Sequence, residues 1–166
     1  MIMSSDKEKK RIIIFFLILL ILAAGIPGSH VFCQQIKLYP GTCLKNSGAY
    51  INVNGKIDNA GTINNTGTFG LSASGDWQNS GTFIAGAANH RIGGNFSNNG
   101  TFTGTGSAIT FNGSAAQSIG GTSTTIFNNL VIDNAAGVTL NSNSLTTISA
   151  NLTINSGKKF GIAPGK

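Results

Sequence analysis

Acidic residues are scarce in this chain of 166 residues, which has five aspartates and glutamates against eleven lysines and arginines. Beyond residue 33 the only acids are Asp58, Asp76 and Asp133. Acid–base catalysis needs a carboxyl group with a positioned partner. We expect Asp58 and Asp76 one repeat apart in different outward columns, where lone carboxylates are simply solvated. The sequence therefore predicts no catalytic residues, and we do not expect an enzyme.

Cysteines and clustered metal ligands are also few. Of the two cysteines only Cys43 lies beyond residue 33, so that part of the chain cannot form an internal disulfide. His90 and Arg91 fall between repeat units, in a predicted exposed loop, with no further ligand at metal-binding spacing. The recurrent glycines precede no helix that could cradle a phosphate. We therefore expect neither a metal site nor a cofactor.

Clusters of basic residues are missing as well. The segment beyond residue 33 carries seven lysines and arginines and three acids, a net charge of +4. These basic residues are scattered and do not alternate with exposed aromatic residues, as they do in nucleic-acid interfaces. Nucleic-acid binding is therefore not expected.

A nonapeptide with the pattern G-x-[IWF]-x-N-x-G-T-[IF] occurs three times, starting at Gly55, Gly75 and Gly94. The starts are 20 and 19 residues apart, and a fixed period of about 20 residues indicates a solenoid of stacked units. Apolar and polar residues alternate within a unit, as in a strand with one buried face. The central Asn-x-Gly indicates a sharp corner, because Asn and Gly tolerate positive φ.

Stacking the units in register aligns equivalent residues in columns. Two columns are apolar and face inward, and a third contains corner asparagines. Strands lie about 4.8 Å apart, so the asparagine amides are expected to hydrogen-bond from rung to rung; the alternative is a turn without such a ladder. The predicted structural repeat residues are Ile57, Trp77 and Phe96 in one inward column, Ile63, Phe83 and Phe102 in the other, and Asn59, Asn79 and Asn98 at the corner.

Residues 1–33 have the features of an export signal. A basic stretch from Lys7 to Arg11 precedes an apolar run of 13 residues, Ile12 to Ala24. That run fits the apolar core of a signal peptide and is short for a membrane span of about 20 residues. We predict a signal helix that is cleaved near Gln34, so that the chain contacts the membrane only before cleavage. An uncleaved anchor and a lipoprotein modified at Cys33 are the alternatives.

The rest of the chain is predicted to be one domain. Residues 34–54 differ in composition and are expected to form a lead-in and N-terminal cap. Residues 55–166 are expected to form the β-solenoid repeats, with about six rungs in the domain at about 20 residues per rung. The final repeat, which begins at Asn151, keeps strand character to its end. We therefore expect the solenoid to be incomplete at the C-terminus, with an open edge that self-associates edge to edge.

Two phrases of the sequence resemble a known class of proteins. They are the recurrent Asn-x-Gly-Thr-Phe units and the stretch from Phe111 to Gly121 that is followed by residues 127–132. Both are similar to phrases of bacterial secreted, adhesin-like β-solenoid proteins, many of which are exported by the type IX secretion route. The resemblance covers about residues 50–160. It implies an all-β, right-handed parallel β-helix at the bacterial cell surface or outside the cell, and it implies no catalytic residues.

Three functions are open to such a chain, since a solenoid fold does not determine function. We favour a secreted or surface-exposed structural or adhesive module, whose ligand is an unknown glycan or protein. Ordered-surface (ice-like) binding would need a flat array of outward threonines. The column of Thr62, Thr82 and Thr101 suggests one, but only Thr101 and Thr103 form a full T-x-T. A carbohydrate-binding or carbohydrate-degrading β-helix would need exposed aromatics, and the aromatics are predicted to face inward.

Overall fold

The computed structural model describes residues 29–68, 70–142 and 145–164. All regular structure in these ranges is β-strand, and they contain no helix long and apolar enough to cross a membrane. The strands are β1 (Ser29–Cys33), β2 (Ile36–Leu38), β3 (Cys43–Asn46), β4 (Ala49–Val53), β5 (Ile57–Asn59), β6 (Thr62–Asn65), β7 (Leu71–Ala73), β8 (Trp77–Asn79), β9 (Thr82–Ile84), β10 (Asn89–Ile92), β11 (Phe96–Asn98), β12 (Thr101–Phe111), β13 (Gln117–Gly121), β14 (Thr125–Ile132), β15 (Val138–Ser142), β16 (Thr146–Ile154) and β17 (Phe160–Ile162).

The strands form three parallel faces of one solenoid. Face A contains β1, β4, β7 and β10, and face B contains β2, β5, β8, β11, β13, β15 and β17. Face C contains β3, β6 and β9. The long strands β12, β14 and β16 begin on face C and bend onto face A. Each strand pairs with the strand one rung later, so the predicted all-β parallel β-helix of about six rungs is confirmed.

Residues at the same offset in successive repeats lie side by side. Trp77 pairs with Ile57 on one side and with Phe96 on the other. On face C, Phe83 lies in the same way between Ile63 and Phe102. Alternate residues of each strand point inward, so these side chains fill the interior of the solenoid, where all but Phe102 are at most 1% exposed. The ring centroids of Trp77 and Phe83 are 4.7 Å apart.

The corner between faces B and C holds an asparagine ladder. Asn59 Nδ2 donates to Asn79 Oδ1 at 2.7 Å, and Asn79 Nδ2 donates to Asn98 Oδ1 at 2.8 Å. The same two amides donate to the carbonyls of Thr82 and Thr101, at 2.9 and 3.0 Å. The asparagines are buried, and a buried amide must keep its hydrogen bonds to be tolerated. The corner is therefore built as a ladder rather than as a turn without one.

A second, shorter ladder stands at the corner between faces C and A. Asn46 Nδ2 donates to Asn65 Oδ1 at 2.7 Å, and both residues are buried. In the next rung the asparagine is absent, and Asn65 Nδ2 donates to the Ala85 carbonyl at 3.2 Å. Both corners of face C are thus held by buried amides over part of the solenoid.

The N-terminal part of the described chain belongs to the solenoid. Residues 1–28, which contain the apolar core of the predicted signal helix, lie outside the described residues. Ser29–Cys33, at the end of the predicted signal segment, is strand β1 and pairs with β4 in register. Cleavage near Gln34 would therefore remove the first strand of face A. Residues 34–54, the predicted lead-in and cap, contain β2, β3 and β4, which pair with β5, β6 and β7 as a regular rung.

Candidate ligand-binding surface

The nine residues predicted from the repeat are structural. They lie in the two inward columns and the first asparagine ladder, and they are buried, so no ligand reaches them. The residues that alternate with them point outward. Any binding surface on the described chain must therefore be built from these outward residues.

The prediction that His90 lies in an exposed loop is wrong. His90 is on β10, fully buried, and in register with Ile109 in an inward column. Nδ1 accepts a hydrogen bond from the Leu71 N–H at 3.1 Å, and Nε2 lies 2.8 Å from the Ala85 carbonyl oxygen. These two contacts require the neutral ring with its proton on Nε2. Burial lowers the pKa of His90 to about 4, against a smaller opposing effect of the Ala85 carbonyl.

The three aspartates beyond residue 33 are held apart in separate local contacts. Asp58 forms an ion pair with Lys37 at 3.7 Å, and Asp76 Oδ1 accepts from the Asn95 N–H at 2.7 Å. Asp133 lies 3.5 Å from Lys158. A hydrogen bond from Asn155 and, to a smaller extent, the charge of Lys158 lower the pKa of Asp133. The described residues hold no group of three or more His, Cys, Asp or Glu side chains that could bind a metal.

The outward threonines of face C form a short column. Thr62, Thr82 and Thr101 pair in register, and Cys43 precedes them in the rung before. The neighbouring outward column is irregular, since it contains Lys45, Asn64, Ile84 and Thr103. Face C therefore presents no flat, regular array of threonines.

The expectation that all aromatic residues face inward is wrong for face A. Phe32 is 78% exposed and Tyr50 is 41% exposed. His30 is in register with Tyr50, and the two rings stack with centroids 5.0 Å apart and an angle of 13° between their planes. The His30 and Phe32 rings are also nearly parallel, at 6.2 Å and 17°. We call His30, Phe32 and Tyr50 the aromatic stack.

A polar groove begins at Asn52, the residue in register with Phe32. Its volume is about 390 Å³, and it crosses four successive rungs at the edge of face A, where the chain turns towards face B. Its lining includes Asn52 and Asn54, then Ser72 and Ser74, then Gly93, and then Asn112. We call this feature the axial groove, because it runs along the solenoid axis.

Small side chains create the axial groove. A Cβ at Gly93 would lie 2.5 Å from the Ser74 carbonyl oxygen, so the close stacking of these turns requires glycine there. The next rung has a longer turn, residues 112–116, which forms the far end of the groove. The groove is therefore a depression between a row of asparagines and a longer turn.

Phe32 of the aromatic stack shares one outward column with two groove residues, whereas His30 and Tyr50 lie on the neighbouring outward column. Phe32 is in register with Asn52, Asn52 with Ser72, and Ser72 with Arg91. No residue that lines the groove is acidic. The surface therefore combines exposed rings, amides and hydroxyls, with one guanidinium beside them.

The sequence contains a signal for this surface. Residues 49–53 alternate, and once Ile51 and Val53 are assigned to the core, Tyr50 must point outward. His90 is found in the same way, because it stands 19 residues after the inward Leu71. Comparison with known protein families, curated proteins and solved structures finds no match to this chain.

Proposed function

We propose that the protein is a secreted or cell-surface bacterial β-solenoid module with a structural and adhesive role and no catalytic activity. The observation that carries the proposal is that the exposed aromatic stack and the axial groove are adjacent, with Phe32 in register with the groove residue Asn52. The ladders and the packed interior hold that face in shape, so a ligand meets a preformed surface. The basic stretch and apolar run of residues 7–24 support export. Because Ser29–Cys33 forms β1, the proposed surface requires that cleavage falls before Ser29 or that the N-terminal segment is retained, rather than cleavage near Gln34.

Ordered-surface binding has less support. It would need threonines repeated in two adjacent columns, and the second column on face C contains lysine, asparagine and isoleucine. The aromatic stack instead favours a ligand with both apolar and hydroxyl-bearing surfaces, such as a glycan. A protein ligand is the other candidate for the adhesive role.

A binding screen tests the proposal. Beads coated with the purified protein are offered a panel of immobilised glycans and matrix proteins, and beads coated with heat-unfolded protein are the control. We expect retention by at least one surface that depends on the folded protein. Retention by none would contradict the adhesive role. Turnover of a polysaccharide that is lost in Asp58→Asn or Asp76→Asn would contradict the absence of catalysis.

A further inference from the structure

We infer that the aromatic stack and the axial groove together bind one extended, neutral polysaccharide chain that lies along the solenoid axis. This inference rests on the proposed adhesive function and names its ligand class and its site.

The aromatic stack is suited to the apolar faces of sugar rings. Phe32 is 78% exposed, and it stands beside Asn52, the first groove residue on its column. Aromatic rings combine a large apolar surface with a fixed orientation, and they lose little conformational freedom when a ligand packs on them. The Phe32 ring also contacts the His30 ring, which in turn stacks on Tyr50, and these contacts restrain the Phe32 ring further.

The axial groove is suited to sugar hydroxyls. Asn52, Asn54, Ser72 and Ser74 offer amide and hydroxyl groups that both donate and accept hydrogen bonds. The asparagine pair and the serine pair stand one rung apart, at about 4.8 Å, the spacing of strands in a sheet. One rung is therefore close to the length of one pyranose unit, so successive sugars of an extended chain lie opposite successive rungs and meet an amide or hydroxyl pair at the first two.

The same features disfavour a peptide. Strands β4 and β7, which line the groove, are hydrogen-bonded to strands on both sides, so a peptide cannot pair with them as a further strand. The groove has no acidic residue, and its exposed lining is amides, hydroxyls and glycine rather than apolar pockets for side chains. A neutral, hydroxyl-rich chain matches the hydrogen-bonding groups of this surface better than a peptide does.

Isothermal titration of the exported protein with cellohexaose and chitohexaose, two neutral hexasaccharides, tests the site. We expect binding of at least one of them, weakened about tenfold or more in Phe32→Ala and in Tyr50→Ala, since aromatic side chains that become buried under a ligand dominate such contacts. Ser74→Trp, which fills the groove, should weaken binding to a similar extent. The matched control is Tyr39→Ala, because Tyr39 is 46% exposed beside Lys37, outside the stack and groove. Circular dichroism checks that each variant folds.

The outcomes separate this inference from the proposed function. Equal affinity in the Tyr39, Phe32 and Tyr50 variants overturns the site. Retention on matrix proteins without binding of either hexasaccharide overturns the glycan ligand and leaves adhesion standing, whereas retention on no surface contradicts the adhesive function itself. Mass spectrometry of the exported protein adds a further test, since a mature chain that begins at Gln34 would lack Phe32 and overturn the site as described.

Discussion

Leu130 and Leu152 occupy the same inward column of face A, one rung apart, yet they differ greatly in exposure. Leu130 is 1% exposed and Leu152 is 44% exposed. Ile132 and Ile154 repeat the difference, at 0% and 46%. Residue type and register are the same in each pair. In a solenoid, burial therefore depends on having a packed rung on both sides, and the last described rung has a packed neighbour on one side only.

The inward column of face B that contains Phe96 shows the same gradient of exposure. Phe96, Ile119, Leu140 and Ile162 follow one another in register. Phe96 and Ile119 are 1% exposed, whereas Ile162 is 63% exposed. The central rungs should therefore carry most of the folding free energy, and the last rung should contribute little.

Introducing a charge at an inward position should give the largest difference in stability between the central rungs and the last rung. Phe96→Asp places an unpaired carboxylate in the interior and should lower the free energy of unfolding by at least about 4 kcal/mol. Ile162→Asp makes the corresponding change in the last rung and should cost less than about 1 kcal/mol, because the carboxylate stays in water. Urea denaturation measures both. Equal losses would contradict the comparison.

Acid should destabilise the protein through His90. Its pKa is about 4 when folded, against an ordinary value of 6.5, so between these pH values the unfolded chain binds a proton that the folded protein does not. Stability is therefore complete above pH 6.5 and falls as the pH drops towards 4, by about 3 kcal/mol in total. A hydrogen bond from Asn155 and the charge of Lys158 lower the pKa of Asp133, so any effect of this carboxyl group on stability comes at a lower pH than that of His90.

The control for this pH effect is His90→Gln, which keeps a donor and an acceptor but does not titrate. Thermal unfolding of the two proteins from pH 7 to pH 4 gives the comparison. The variant should lose most of the pH dependence in that range. An unchanged pH dependence in His90→Gln would show that other groups cause it.

Removing a ladder amide should have a somewhat smaller effect. Asn79→Ala deprives Asn59, Asn98 and the Thr101 carbonyl of a buried partner and should cost about 2 kcal/mol. The exposed Asn151, which donates to Asn129 at 2.8 Å in the last rung, is the matched control, and Asn151→Ala should cost only a few tenths of a kcal/mol. Equal costs, measured by urea denaturation, would mean that the buried ladder adds no stability.

Amide exchange should show the smallest but most local effect. Amides after Ile148 should exchange faster than those of β8 and β11, because local opening is easiest where contacts are few. Amides after Ile148 that are as protected as those of β8 and β11 would contradict this expectation.

The sequence predicts the strand register well wherever the nonapeptide occurs. Identical motifs 20 and 19 residues apart place Trp77 between Ile57 and Phe96 without further information. It predicts face A poorly, because segments such as Leu71–Ala73 and Asn89–Ile92 share no motif and look like connections between units. Their alternation shows only after the neighbouring rungs define which column is inward.

The candidate surface was harder to predict than the fold. Phe32 lies in a segment whose composition indicates export, and a signal prediction says nothing of strand pairing. The axial groove depends on the size of residues from four rungs, which are neighbours only after stacking. Motif repetition therefore predicts the interior, whereas the outward faces depend on how the rungs combine.

Fluorescence of the single tryptophan tests the central claim most directly. Trp77 is fully buried between the side chains of neighbouring rungs. If the repeats stack in register, the folded protein should show the blue-shifted emission of a buried indole, little quenching by acrylamide, and a shift to the red on unfolding in urea. Emission and quenching that are already those of the unfolded chain under native conditions would contradict the stacked register.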